Sequence, residues 1–305
     1  MTKIMRESSR VASWRKQARL VGASLVVIAL VGCTVVRLAY NQAPTWASIW
    51  IDNYADLDEE QVPRVHDAIG AWFRWHRGTQ LPDYASMLAR MQAQVMGNTT
   101  DAARCRWEPE IRGRAEAALA QALAPATELV MTLKPEQLRH IEKRFDRSNR
   151  EFRNEHLQPD LKDRREERES RTIERLEKLY GRLSDTQRER ISKVLVASPY
   201  DAEVWHQERL ARQRETLQTL RKLTGDGRAI PASAAQAEVK AVMDGWLRPS
   251  RPAYAAYQRK VTDNNCAWLA DFHNSTTAEQ RRHARDKLRG WEVDARTLAA
   301  TTSGA

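Results

Sequence analysis

Apolar side chains recur three or four residues apart along most of the chain, which is the spacing of one face of an α-helix. Two clear runs are Val62, Val65, Ile69, Trp72 and Phe73, and then Leu138, Ile141, Phe145 and Phe152. No segment alternates apolar and polar residues convincingly, as a β-strand would, and Ala, Leu, Arg, Glu and Gln are abundant. The pattern predicts an all-α fold, a multi-helix bundle of roughly eight to ten long amphipathic helices.

Prolines, glycines and capping residues divide this pattern into segments. We predict helices over residues 58–77, 82–96, 101–132, 135–155, 198–223, 232–247, 252–272 and 277–298. The third of these segments can break at Pro109 and Pro125. The charged residues 160–172 are expected to form a solvated helix face with ion pairs four residues apart, and the alternative is a charged rim that contacts a partner.

The start of the chain has the layout of a secretory signal. Residues 1–19 carry six basic side chains and one acidic one, and residues 20–32 form an apolar run. That run is shorter than the roughly 20 apolar residues of a membrane span, although a short transmembrane anchor is the alternative. We therefore divide the chain into a signal peptide (1–32), a lead-in segment (33–56), a single all-helical domain (57–300) and a disordered tail (301–305).

The lead-in segment is rich in aromatic residues, which are Tyr40, Trp46, Trp50 and Tyr54. We predict that most of it is a helix, beginning near Pro44, whose aromatic side chains pack on the body of the protein. Contact with a lipid interface, where Trp and Tyr are enriched, is the alternative.

The residues Leu30-Val31-Gly32-Cys33 resemble the lipobox of bacterial lipoproteins. The resemblance implies thioether lipidation of Cys33, cleavage before it and acylation of the new amino terminus. Several acyl chains would hold the protein firmly, since a single chain gives only marginal membrane binding. Thr34 occupies the position where Asp signals retention in the inner membrane, so the resemblance implies an outer-membrane location.

Removal of residues 1–32 also changes the charge of the protein. The whole chain has 50 basic and 40 acidic residues, a net charge of +10. Six basic residues and one acidic residue lie in 1–32, so 44 and 39 remain and the net charge is +5. A modest excess outside the cytoplasm gives no basis for a nucleic-acid partner.

Two cysteines remain after Cys33, namely Cys105 and Cys266. In an oxidising compartment the two can form a disulfide, and we predict that they do. The alternative is a pair of separate buried thiols.

Four segments share one helix-start pattern, with Gln three residues after a candidate N-cap. They are Leu57-Asp58-Glu59-Glu60-Gln61, Leu133-Lys134-Pro135-Glu136-Gln137, Leu183-Ser184-Asp185-Thr186-Gln187 and Thr276-Thr277-Ala278-Glu279-Gln280. The pattern is that of a capping box, in which Gln accepts from the N–H of the cap residue. Lys134 cannot accept a hydrogen bond, so Pro135 and Gln137 must support the second start.

Repeated at helix starts of a charge-rich, exported chain, these motifs resemble the Leu-Thr-x-x-Gln signature of the Spy/CpxP periplasmic proteins. The resemblance rests on Leu133 with Gln137 and Leu183 with Gln187, less on Leu57 with Gln61, and weakly on Gln280. No copy has both Leu and Thr. The resemblance implies ATP-independent binding of unfolded proteins, or tuning of envelope-stress signalling, by a cradle-shaped dimer. Tyr40-Asn41 and the segment 50–61 also resemble a proteobacterial lipoprotein family of unknown function.

Motifs that carry chemistry are missing from the sequence. No two of the seven histidines are three or four residues apart, and the chain has no Gly-x-Ser-x-Gly, no phosphate-binding glycine loop and no Cys-x-x-Cys. We therefore expect no enzyme, no metal and no cofactor.

The expected function is that of an outer-membrane-anchored periplasmic lipoprotein that binds envelope proteins or unfolded clients. We expect its binding surface to be an apolar groove rimmed by Arg and Glu from residues 138–176. An envelope enzyme acting on cell-wall or lipid substrates and a structural brace are the alternatives. Whether the chain forms a homodimer is left open.

Overall fold

The computed structural model describes residues 35–225 and 230–301, and within these ranges it is helical with no β-strand. The all-α prediction is confirmed. The helices are α1 (35–55), α2 (Gln61–Trp75), α3 (Leu81–Val95), α4 (Asp101–Cys105), α5 (Trp107–Thr132), α6 (Pro135–His156), α7 (Leu161–Tyr180), α8 (Asp185–Ala197), α9 (Ala202–Thr224), α10 (Ala232–Leu247), α11 (Pro252–Asn274) and α12 (Ala278–Ala300). The predicted signal peptide, Cys33 and residues 302–305 of the predicted tail lie outside the described residues.

The helix of the lead-in segment does not begin at Pro44. Residues 35–55 are all helical, so α1 runs through this proline. Its inner face packs on the body, where the Tyr40 hydroxyl lies 2.9 Å from Nδ1 of His76. Trp46 and Trp50 are largely exposed instead of packed, which contradicts the expectation that they fill the core.

The predicted break near residue 80 is a wide helical turn. A π-helix, His76–Gln80, joins α2 to α3, and the N–H of Leu81 donates to the carbonyl of His76 five residues back. The turn lies directly before Pro82, which has no N–H with which to continue the α-helical ladder. The two predicted helices are therefore parts of one continuous helical segment, residues 61–95.

Two other helix boundaries differ from the prediction. The predicted segment 101–132 is broken at Arg106, so that Pro109 lies in the first turn of α5, where its missing N–H has no partner to lose. Helix α5 then continues through Pro125 without a break. Helix α9 begins at Ala202 and not at Pro199. Its cap is Asp201, whose carboxylate accepts from the N–H of Glu203 at 2.8 Å.

The described helices build two large apolar cores and a smaller third one. The first core contains Ala55, Leu133, Leu138, Ile141, Leu217 and Leu220, and α6 packs on α9 here. The third core contains Leu223, Ala235 and Val239, and it lies where α10 packs on α5 and α9. The second core contains Val95, Leu176, Tyr180, Leu183, Ile191, Phe272, Ala284 and Leu288. It is formed where α12 packs on α3 and α7, and where α8 packs on α7 and α11.

The predicted disulfide is present in the structure. It joins Cys105 at the end of α4 to Cys266 in α11, with 5.4 Å between the two Cα atoms and 161 residues between the positions. A hydrogen-bonded chain runs beside it. Arg104 donates to the Tyr180 hydroxyl at 3.0 Å. That hydroxyl lies 2.9 Å from Nδ1 of His273, and Nε2 of His273 lies 2.8 Å from the carbonyl oxygen of Gly97. The Tyr180 hydroxyl and both ring nitrogens of His273 thus have hydrogen-bond partners in the interior.

Candidate functional site: paired glutamine caps and an apolar groove

The glutamines of the four helix-start motifs all lie at the start of their helices and are all buried. Each side-chain oxygen accepts from the N–H of the residue at its own cap position, at 3.1 Å for Asp58, 2.9 Å for Lys134 and 3.0 Å for both Ser184 and Thr277. The side chains of Asp58, Ser184 and Thr277 accept in return from the N–H of the glutamine. The backbone donors at these helix starts are therefore satisfied locally.

The structure brings the first two motifs together. Nε2 of Gln137 donates to Oε1 of Gln61 at 2.7 Å, and Nε2 of Gln61 lies 3.2 Å from Oε1 of Gln137. At the cap position, Nζ of Lys134 is 2.9 Å from the carboxylate of Asp58. This hydrogen bond and charge lower the pKa of Asp58 and raise that of Lys134. The lysine that cannot cap its own helix thus binds the cap residue of the partner motif.

The last two motifs form a second pair of the same design. Nε2 of Gln187 and Nε2 of Gln280 each lie 2.9 Å from the side-chain oxygen of the other. In both pairs every Nε2 also reaches a carbonyl five residues before the partner glutamine. These carbonyls are Thr132 for Gln61, Asp56 for Gln137, Ser275 for Gln187 and Arg182 for Gln280. The repeated motif therefore joins two helix starts through hydrogen bonds between their glutamines.

The sequence showed the four starts but not their pairing. The motifs of a pair are 76 and 93 residues apart, so no local rule connects them. One signal of the pairing was available in the sequence. A helix cap uses only the oxygen of the Gln side chain, so its two amide N–H groups need other partners once the side chain is buried.

An apolar groove of about 1160 Å³ lies beside the first pair, lined by α1, α2, α5 and residues 230–236. Val65, Ile69, Trp72 and Phe73 provide the α2 wall. The α5 wall is built from small or aliphatic side chains, among them Ala122, Pro125, Ala126 and Leu129. None of residues 138–176 lines this groove, so the groove and the binding surface predicted from the sequence lie on different helices. Leu138 and Ile141 of α6 are instead buried in the first core.

Charged groups also border the groove. Arg64 of α2 and Glu128 of α5 both line it and are exposed to solvent. The buried polar lining residues Gln61 and Thr127 are occupied by hydrogen bonds, Thr127 through its hydroxyl to the carbonyl of Leu123 at 2.8 Å. The groove therefore offers apolar walls and opposite charges at its surface, with little unsatisfied polarity inside.

One end of the groove is fixed by an aromatic cluster. The indole N–H of Trp72 donates to the carbonyl of Ala118 at 2.9 Å, and its ring stacks on His76 at 4.8 Å. Burial lowers the pKa of His76 and raises the pKa of Tyr40 to about 12, so both groups are neutral near pH 7. These contacts hold the wall of the groove rigid across α1, α2 and α5.

The described residues contain neither a metal site nor a membrane-spanning helix. In residues 35–225 and 230–301, no group of three or more His, Cys, Asp or Glu side chains is placed to hold a metal ion. None of the helices that the structure describes is long and apolar enough to span a bilayer. Three histidines instead hydrogen-bond backbone carbonyls, which are His140 to Asn53, His273 to Gly97 and His283 to Leu179.

Comparison with known protein families identifies one family, which has no assigned function. Searches of curated proteins and of solved structures returned no match. A family model matches residues 53–227, which is more than half of the chain and contains three of the four glutamine motifs. The chain belongs to the family of unknown function DUF6279.

Proposed function

We propose that the protein is an outer-membrane-anchored periplasmic lipoprotein that binds other envelope proteins without catalysing a reaction. The observation that carries the proposal is the apolar groove between α1, α2 and α5. The anchor rests on the resemblance of Leu30-Val31-Gly32-Cys33 to a lipobox, and the resemblance of Tyr40-Asn41 and residues 50–61 to a proteobacterial lipoprotein family supports it.

The size and lining of the groove favour a helical segment of a protein as its occupant. About 1160 Å³ exceeds the roughly 300–1000 Å³ of common small-molecule pockets. An amphipathic helix can lay its apolar face between two helical walls, and the alanines of α5 allow its backbone to approach closely. Arg64 and Glu128 supply opposite charges that can orient the incoming helix.

The resemblance to Spy/CpxP proteins supports the same class of function but not through the motif itself. All four motif glutamines are buried and occupied by caps and by one another, so they are not a surface for clients. The motif contributes by fixing helix starts, and Gln61 and Thr132 of the first pair form one end of the groove lining. We therefore assign client binding to the groove.

The test introduces charge into the groove without touching either core. Ala68 is half-buried and Ala124 is exposed, and both line the groove. We expect Ala68→Glu and Ala124→Glu to abolish suppression of aggregation of a chemically denatured envelope protein, because a carboxylate in an apolar contact loses its hydration. Ala93→Glu, on the exposed surface of α3, is the matched control and should behave as the unaltered chain.

The outcome separates the three function classes. Suppression at near-stoichiometric amounts that only the groove variants lose supports a holdase. Specific photo-crosslinking from Ala124 to one folded envelope protein, lost in Ala68→Glu, supports an assembly factor. Absence of both effects in the unaltered chain refutes the proposal and leaves the brace and the envelope enzyme.

A further inference from the structure

Helix α1 carries an apolar stripe on its outer face. The outer stripe consists of Val35, Leu38, Trp46, Ile49 and Trp50, each more than half exposed to solvent. At about 100° per residue these positions fall within roughly a third of the helix circumference. Gln42 is the one polar residue within this arc between Val35 and Trp50, and the rest of the arc is apolar. An exposed apolar surface of this kind marks a contact surface.

The outer stripe is also free of charge. Only Arg37 and Asp52 are charged among residues 35–55, and both lie outside the arc of the stripe, Arg37 on the opposite side of the helix. Nε of Arg37 is 3.3 Å from the buried carboxylate of Asp294, and the carboxylate of Asp52 accepts from the N–H of Leu57 at 3.1 Å. An apolar medium can therefore cover the stripe without desolvating an ion.

The inner face of α1 fixes which side points outward. Arg37 pairs with Asp294 of α12, while Tyr40 and Asn41 contact His76 and Arg77 of the π-helix. The helix cannot rotate the outer stripe into the protein without breaking these contacts. The stripe is thus a fixed outer surface.

We infer that the outer stripe lies in the surface of the lipid bilayer, with α1 roughly parallel to the membrane plane. The inference rests on the proposed membrane location, since Val35 stands two residues after Cys33. A transmembrane anchor in residues 20–32 would place the stripe at the same surface. The stripe extends about 22 Å along the helix axis from Val35 to Trp50. Helices that lie in the membrane interface embed only ~5–10 Å deep, so all five side chains reach lipid only if α1 lies flat. Trp46 and Trp50, one turn apart, match the preference of Trp for the membrane interface.

The test uses the full chain, because its other cysteines are occupied by the disulfide and by the proposed acylation. A cysteine introduced by Trp46→Cys is then the one free thiol, and Val196→Cys is the control, since Val196 is an exposed apolar residue of α8. The chains are purified and placed in vesicles of phosphatidylethanolamine and phosphatidylglycerol. A membrane-impermeant maleimide is then added before and after mild detergent. We expect Trp46→Cys to react about tenfold more slowly in vesicles than in detergent, since an apolar medium disfavours the reactive thiolate. Val196→Cys should react equally in both.

Each of the other outcomes overturns the inference, and each shows a different reason why lipid does not cover the stripe. Equal labelling of Trp46→Cys in vesicles and detergent means that lipid does not cover the stripe. Protection in native envelopes but not in vesicles assigns the stripe to a protein partner, and protection that grows with protein density in the vesicles assigns it to a second copy. A chain that never partitions into membranes refutes the anchor as well as the stripe. Ile49→Cys repeats the measurement should Trp46→Cys fail to fold.

Discussion

The first glutamine pair provides the sharpest test of how the fold is held together. Gln137 is only 2 % exposed. Its oxygen accepts from the N–H of Lys134 at 2.9 Å, and its Nε2 donates to Gln61, Ala55 and Asp56 at 2.7, 3.1 and 2.8 Å. The substitution Gln137→Ala removes these bonds together and leaves the buried partners, the Gln61 amide oxygen and the Ala55 carbonyl, without this donor.

The expected loss follows from the number of groups left unpaired. A net hydrogen bond contributes about 1 kcal/mol, and a buried group left unsatisfied costs about 1–3 kcal/mol. Water can reach the part-buried carbonyl of Asp56 and N–H of Lys134, so we expect Gln137→Ala to lower the free energy of unfolding by about 3 kcal/mol. For a chain of this size that corresponds to a fall in Tm of roughly 6–12 °C.

The assay is urea unfolding monitored by circular dichroism at 222 nm, with Gln121→Ala as control. Gln121 is exposed on α5, and its substitution should change stability by less than ~0.5 kcal/mol. A double-mutant cycle with Gln61→Ala should show that the two losses overlap by about 1–2 kcal/mol, because each variant already breaks the shared bonds. Additive losses, or a Gln137→Ala loss no larger than that of the control, would refute the pairing argument.

Four further predictions concern the rest of the fold. Replacing both Cys105 and Cys266 by Ser should cost about 2–5 kcal/mol, measured as the shift in urea midpoint, and added reductant should then have no further effect. Gly181 ends α7 with φ +76° and has His283 3.4 Å from where a Cβ would lie, so Gly181→Ala should cost ~1–2 kcal/mol by thermal melting. Gly290 is helical with open space around it, and Gly290→Ala should instead raise stability by ~0.5–1 kcal/mol. Burial lowers the pKa of several histidines below the ordinary 6.5, so the unfolded chain takes up protons that the folded chain refuses. The urea midpoint should therefore fall as pH drops from about 7 to 5, and a flat profile would contradict the burial of His76, His156, His206 and His273.

The sequence was informative wherever the relevant interaction was local. Apolar spacing predicted the helices, and Ser184 and Thr277 marked helix starts because a cap and its glutamine are only three residues apart. Prolines misled the prediction at Pro44 and Pro125. Tertiary packing can maintain a helix through a proline when the rest of the helix gains more from burial than the lost bond costs.

The candidate site depends on contacts that no local pattern contains. The groove exists because α1, α2, α5 and residues 230–236 meet, and Ala47 and Ser233 are ordinary helix residues when read alone. The apolar residues of α6 were predicted to line an open groove, but Leu217 and Leu220 of α9 cover them. Which helix covers which face is a tertiary property, so the spacing of apolar residues in α6 could not show that these side chains are buried.

The chain alternates between its two large cores, and this alternation sets the order in which the cores can be completed. The first core is complete once Leu217 and Leu220 of α9 are made, whereas the second also needs Phe272 and Leu288, although its earliest member, Val95, is made long before. A chain synthesised from its amino terminus can therefore finish the first core early, but it cannot finish the second until α11 and α12 are made. A fragment ending at residue 227, where the family match stops, would keep Gln187 but lack Gln280 and both helices that complete the second core. The carboxyl-terminal quarter of the protein is thus a late folding element on which the earlier second-core helices depend.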